Sequence, residues 1–348
     1  VASHHRPKSS NRARIGALAV AAATVVALSA SGGAQADPGP TAEEVRERIE
    51  ELRHEAAVVT EEFNGATEQQ DRLQREVNEL QDDVARGQAE LTRMQSTLGA
   101  VASAQYRSGG VDPSLRLMLS GDPEEYLAKA AALDQLSAEQ AESLEEVSAH
   151  KRALDQRRAE AAAKLQELET VRTTAVEKKE EIQEKLREQQ ELLERLTAEE
   201  RAALAEEERR AAEEAAGRAS RDDVRGALDA AAASGHAAAA VAAAQSALGL
   251  PYVWGAEGPS SFDCSGLTSW AWARAGVTIP RTSQGQLGAG TPVSLSEALP
   301  GDLVIFYGDA SHVGMYVGGG VMIHAPYTGA VVRYESVDTM PVHSVIRV

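Results

Sequence analysis

Cysteine occurs once in the 348 residues, at Cys264, within the stretch FDCSGLTSWAWARAG that spans residues 262 to 276. A lone thiol is either a small buried hydrophobe or a nucleophile, and its neighbours decide between the two. Asp263 is a favoured helix N-cap, and Leu267, Trp270, Ala271 and Ala275 fall at helical spacing until Gly276 ends the run. Cys264 is thereby placed in the first helical turn, where free backbone N–H groups and the positive end of the helix dipole favour a thiolate. An inert core cysteine gains nothing from that address. A thiolate with a base beside it does the chemistry of covalent hydrolysis, attacking an acyl carbon and returning a proton to the leaving group.

The base must be sought among eight histidines. His4 and His5 lie near the amino terminus, and His54, His150 and His236 lie in helical or linker sequence, which leaves His312, His324 and His343. In SHVGMYVGGGVMIHAP, Val313, Met315 and Val317 alternate with His312, Gly314 and Tyr316, and Val321 and Ile323 alternate with Met322 and His324 across three glycines. That is a hairpin pattern. With Gly318 to Gly320 as a three-residue loop, Val317 faces Val321 and Gly314 faces His324, so the apolar positions share one face. His312 and His324 then share the other as diagonal neighbours about 7 to 8 Å apart at the backbone, within reach of two imidazoles. A one-residue slip would put His324 in the apolar layer, so burial selects this register.

The elements that carry these residues occupy the last third of the chain. All three Trp, five of the seven Tyr and two of the three Phe lie there, so a packed globular core is expected there. A helix over residues 237–248, AAAAVAAAQSAL, is expected to stop at Gly249 ahead of Pro251. From Thr41 to about Gly217 the sequence is instead rich in Glu, Ala, Leu, Arg and Gln, the composition of long helices. Leu73, Val77, Leu80, Val84, Gly87, Leu91, Met94, Leu98 and Val101 alternate steps of four and three, the seam of a left-handed coiled coil. A second run follows through Val147, Leu154, Ala161, Leu168, Ala175 and Ile182, with Leu144, Leu165 and Leu186 as its expected companion line.

Between the runs, Gly109, Gly110, Pro113, Gly121 and Pro123 break the helix. Two helices around such a break most simply fold back as an antiparallel pair, roughly 100 Å long at about 1.5 Å per residue. A parallel homodimer is the rival that the pattern leaves open. Leu115, Leu117, Met118 and Leu119 at the turn read as a docking surface or as a cap on the seam.

The first residues carry Arg6, Lys8, Arg12 and Arg14, followed by an apolar run from Ile15 to Ala30 and the small residues GGAQAD. This tripartite layout predicts a secretory signal cleaved after Ala36, and the run is shorter than the roughly 20 residues a membrane span requires. An initial Val in place of Met is what an alternative start codon of a bacterial gene gives. The net charge of −18 sits mainly in the helical half and argues against nucleic-acid binding, which wants a basic surface. No metal-ligand spacing is present in the sequence, and no cofactor is expected.

The expected organisation is therefore a signal peptide over 1–36, an antiparallel coiled-coil domain over 37–216 with its turn near 108–124, a linker over 217–236 and a catalytic domain over 237–348. The last of these resembles the NlpC/P60 family of cell-wall peptidases through four ordered motifs, LPYVWGAEGPSSFDCSG, IPRTSQGQ, PGDLVIF and HVGMYVGGGVMIHAP. The resemblance implies a compact, papain-like α+β fold with a helix packed on an antiparallel sheet. It implies Cys264 as nucleophile, His312 as base and His324 as the residue that orients it. Tyr252, Asp263, Ser265, Arg281 and Ser283 are implied to shape the substrate site.

The implied reaction is hydrolysis of an amide in the peptide stem of peptidoglycan, typically between D-glutamate and the diamino acid. The coil is similar to segments that precede such domains in Gram-positive and actinobacterial division peptidases, where it docks on a membrane ABC-transporter-like division complex and holds the enzyme inactive. The protein is then expected outside the cell or at the wall, with a coil that lowers activity. The alternatives are a non-enzymatic coiled-coil activator with a degenerate peptidase domain, and a cysteine amidase or acyltransferase acting on another amide.

Overall fold

The structure, a computed structural model, describes residues 41–107, 123–220 and 235–348. The expected signal segment, the apolar cluster Leu115 to Leu119 and most of the expected linker lie outside the described residues. Helix α1 runs over Ala42–Arg107 and α2 over Pro123–Arg195. They are antiparallel partners within one chain. Glu55, Glu62 and Glu76 on α1 meet Lys185, Lys178 and Lys164 on α2, so partner numbers fall on one helix as they rise on the other. Leu52, Leu73, Val77, Leu154, Leu168 and Ile182 are buried along the seam.

Gly87, the gap in the apolar repeat, is filled from across the pair. A Cβ added there would lie 3.1 Å from Leu154 Cδ1, and the Gly87 carbonyl contacts His150 Nε2 at 3.0 Å. The companion line of α2 differs from expectation, since Leu144 and Leu165 are 57% and 44% exposed. Its places are taken by Val171 and Leu192, which are buried, together with Lys164, Lys178 and Lys185. The lysines cover the seam with their alkyl stems while their ammonium groups reach glutamates of α1.

The chain bends after α2. Thr197 begins a capping box, its hydroxyl accepting from Glu200 N at 3.2 Å and its own N–H donating to Glu200 Oε2 at 2.8 Å. Helix α3, Ala198–Ala219, then packs on the sheet of the C-terminal domain, with Ala215 fully buried in that domain's core, while Glu207 and Glu208 pair with Arg46 and Arg53 of α1. Sequence reading assigned this stretch to the end of the coil.

Among the described residues the remaining α-helices and strands are α4 (Gly235–Ser246), α5 (Cys264–Arg274), the one-turn α6 (Ser283–Gln286) and six strands. The strands are β1 (Thr291–Val293), β2 (Leu303–Phe306), β3 (His312–Gly318), β4 (Val321–His324), β5 (Arg333–Ser336) and β6 (Val342–Arg347). They form one antiparallel sheet in the order β1-β6-β2-β3-β4-β5. Leu303, Ile305, Val313, Met315, Val317, Val321 and Ile323 face α4 and α5 in the main core, while Val304, Phe306 and Met322 form a second cluster with Val337 and Val345.

The β3–β4 register follows burial as expected, with Met315 opposite Ile323 and Tyr316 opposite Met322. Only the tip departs, where a bulge pairs Gly318 with Val321 and tightens the turn to Gly319 and Gly320, both at positive φ.

Candidate active site

Asp263 caps α5 as its residue type predicts. Its Oδ1 accepts from Gly266 N at 2.7 Å, and its Oδ2 accepts from Gly255 N at 2.9 Å. Arg281 clamps the same carboxylate with both amino nitrogens, at 3.0 and 2.7 Å, and donates to Ser265 Oγ at 2.8 Å. Gly266 completes the cap because a Cβ there would lie 2.2 Å from the Ala256 carbonyl oxygen. Cys264 therefore sits in the first turn of α5, 1% exposed, with Asp263 and Ser265 fully buried on either side.

His312 opens β3 after a turn in which Tyr307 and Ala310 both hold positive φ without being glycine, a strain that marks functional turns. Ser283 Oγ donates to the Ala310 carbonyl at 2.6 Å and ties that turn to α6. The shared histidine face read from the hairpin is present: His312 Nε2 lies 2.8 Å from His324 Nδ1. His324 Nε2 lies 2.7 Å from Glu335 Oε2 on β5, and Arg333 contacts the same oxygen through Nη2 at 3.0 Å and Nε at 3.1 Å. His343 stands apart, exposed on β6.

One face of α1 lies over all of this. Glu61 Oε1 accepts from Ser265 Oγ at 2.7 Å and from Cys264 Sγ at 3.5 Å, while Glu61 Oε2 accepts from Ser283 N at 2.7 Å. Asn64 Nδ2 donates to Asp263 Oδ2 at 3.0 Å. Thr60 hydrogen-bonds Tyr252, and Phe63 meets Trp254 edge-on at 5.2 Å. Two turns earlier, about 10 Å along the axis, His54 packs tilted against Tyr307 with ring centroids 4.1 Å apart and contacts Asp309 at 3.3 Å. Tyr252, Asp263, Cys264, Ser265, Ser283, His312 and His324 are all buried beneath this cover.

The cover changes the acidity of the site. Burial first, then the Glu61 and Asp263 carboxylates, push the Cys264 thiol well up. The first-turn argument for a thiolate therefore does not hold while α1 is seated, because two carboxylates and lost solvation outweigh the helix amides. Burial and the neighbouring His324 press the His312 imidazolium well down, so the ring is neutral. Burial and then Asp263 raise Glu61 to about 6. Among the described residues no cluster of His, Cys, Asp or Glu is fit to hold a metal ion.

The sequence did not single out Glu61, Asn64, Thr60, Glu335 or Arg333. For the first three a signal existed, since Phe63–Asn64–Gly65 interrupts the Glu/Ala/Leu/Arg composition of the coil.

The profile of the NlpC/P60 family matches residues 249–346, which hold Cys264, His312 and His324. Those residues form an NlpC/P60 domain. The domain is 52% identical over 105 residues to a probable endopeptidase of Corynebacterium glutamicum, covering 30% of this chain and 50% of that protein. It is 51% identical over 98 residues to the probable endopeptidase p60 of Listeria monocytogenes, covering 28% of this chain and 20% of that one. The chain thus spans half the length of the first of these curated relatives and a fifth of the second. Among solved structures, the NlpC/p60 domain of the peptidoglycan hydrolase SagA is 38% identical, with a TM-score of 0.31 and coverage of 32% of this chain and 98% of that one. No helix among the described residues is long and apolar enough to cross a membrane.

Proposed function

We propose that the protein is a cysteine peptidase that hydrolyses an amide bond in the stem peptides of peptidoglycan, between D-glutamate and the diamino acid, and that its coil regulates access to the site. The observation that supports this most directly is the hydrogen-bonded pair His312–His324 in an NlpC/P60 domain whose only cysteine is capped at the start of α5. In this reading His312 takes the Cys264 proton, the sulfur attacks the scissile carbonyl, and the Cys264 backbone N–H holds the oxyanion. The imidazolium then protonates the leaving amine, and water hydrolyses the thioester to regenerate the thiol. Tyr252, Asp263, Ser265, Arg281 and Ser283 line the substrate site.

The seated α1 is the resting form. Glu61 occupies the hydrogen-bonding groups around the nucleophile and keeps the sulfur protonated. Residues 1–36 act as the export signal, and the far end of the coil serves as the dock for a membrane division complex that lifts α1. The experiment incubates the full chain carrying Glu61→Ala, which frees the site, with purified muropeptides and reads the products by mass spectrometry, with iodoacetamide labelling of Cys264 as a check that the site opens. Stem fragments that vanish in Cys264→Ala are expected. Intact muropeptides from a chain whose Cys264 is readily alkylated would refute the peptidase reading and favour a non-enzymatic activator.

A further inference from the structure

Beyond the nucleophile and its base, we propose that Glu335, pinned by Arg333, is a positioning residue that sets the direction of the whole histidine pair and leaves His312 Nδ1 as the proton-accepting atom. The inference rests on the peptidase reading for its catalytic consequence, while its structural content stands on the hydrogen-bond chain alone.

The argument follows the protons. A carboxylate only accepts, so His324 Nε2, 2.7 Å from Glu335 Oε2, must carry hydrogen and donate. When His324 is a neutral imidazole that N–H is its only one, which makes its Nδ1 a bare acceptor. The 2.8 Å contact to His312 Nε2 then requires that nitrogen to donate. His312 is left with a lone pair on Nδ1, the state a general base needs. Reverse any link and the lone pair moves to the wrong nitrogen. Little of either ring is open to bulk solvent, since His312 is 3% and His324 1% exposed.

Arg333 fixes the anion that starts the chain. Its Nη2 and Nε both reach Oε2, the same oxygen that His324 uses. The groups around the network act on it from every side. His54, Arg53 and Glu50 approach from α1 and Glu208 from α3, while Tyr307 and Tyr327 close a cavity of about 170 Å³ beside the histidines. Glu208 lies 3.6 Å from Arg333 Nη1, and Asp309 binds His54. Glu335 is the acid in direct contact with the His324 ring; burial pushes its carboxyl up, and the hydrogen bond from His324 first and then Arg333 outweigh that and hold it to about 2.

The plain alternative is that Glu335 and Arg333 merely brace the sheet edge. The two accounts separate on Glu335→Gln and Glu335→Leu. All three bonds converge on one oxygen, so a glutamine carbonyl can accept all of them and preserve the order of donors, whereas leucine cannot. The test uses the full chain with Glu61→Ala added to free the site. Long-range proton–nitrogen NMR of ¹⁵N-histidine reads which ring nitrogens carry hydrogen, and muropeptide cleavage reads turnover.

In the parent, both rings should be protonated at Nε2 and bare at Nδ1. Glu335→Gln should keep that pattern and move the pH–rate limb set by His312 to lower pH, because the charge favouring the imidazolium is gone. Glu335→Leu should scramble the tautomers and lower kcat by roughly a hundredfold with KM nearly unchanged. Identical histidine nitrogen signals in the parent and Glu335→Leu, or an undiminished kcat in Glu335→Leu, would overturn the proposal. The expected tautomers without cleavage in any variant would uphold the wiring and sink the peptidase reading instead.

Discussion

Replacing Glu61 by Gln asks whether one carboxylate makes the seating of α1 depend on pH. Seated, the group is raised from 4.5 to about 6 by burial and by Asp263. A group with a raised pKa binds protons more tightly in the seated form, so acid favours seating and rising pH opposes it. Seating carries no charge penalty below 4.5, loses stability as pH rises through 6, and at pH 7 bears the full cost of about 2 kcal/mol. At pH 5 the cost is less than half of that, so seating should be favoured roughly 5- to 10-fold more at pH 5 than at pH 7.

Hydrogen exchange at the Ser283 amide measures this directly, because that buried N–H donates to Glu61 Oε2 at 2.7 Å and is released when α1 lifts. After correction for intrinsic exchange, protection should be roughly 5- to 10-fold greater at pH 5 in the parent and nearly flat in Glu61→Gln. Protection that is constant with pH in the parent, or greater at pH 7, would refute the reasoning.

Gly266→Ala should cost about 1–3 kcal/mol and shift the Asp263 cap, because the new methyl would lie 2.2 Å from the Ala256 carbonyl and 2.8 Å from Asp263 Oδ1. Thermal melting and the Cys264 alkylation rate report the two effects. Leu154→Ala removes a side chain that is 1% exposed on the coil seam, and should lower coil stability by about 2–5 kcal/mol in a helical melting curve. Adding Gly87→Ala should recover about 1 kcal/mol, since alanine is the better helix former and Leu154 no longer crowds that position.

How far the sequence could be read depended on whether a local period recorded the contact. Alternating burial specified the β3–β4 register and with it the His312–His324 pair, because a slip would have buried a histidine among Val and Ile. The α5 cap was legible from Asp263 and the spacing that follows it. The lysines on the α2 seam were not, because their stems act as apolar surface while the letter reads as charge. Glu61 is one glutamate in a glutamate-rich coil, and its partners lie about 200 residues away. No period links them. The acidity of Cys264 was misread for the same reason, since the helix field is local whereas the carboxylate that overrides it comes from α1. Glu335 escaped notice because β5 is short and half-buried on both faces.

The seated helix also bears on how the sulfur ages. Peroxides attack thiolates that solvent can reach, and the sulfenic acid formed is rescued most readily by a nearby second thiol. This chain has no second cysteine, so overoxidation of Cys264 would be a dead end for the molecule. A thiol that is 1% exposed and held protonated under a glutamate is sheltered on both counts. In the proposed resting form the contact that covers the sulfur also preserves it, and each molecule keeps an undamaged thiol until the moment it is uncovered.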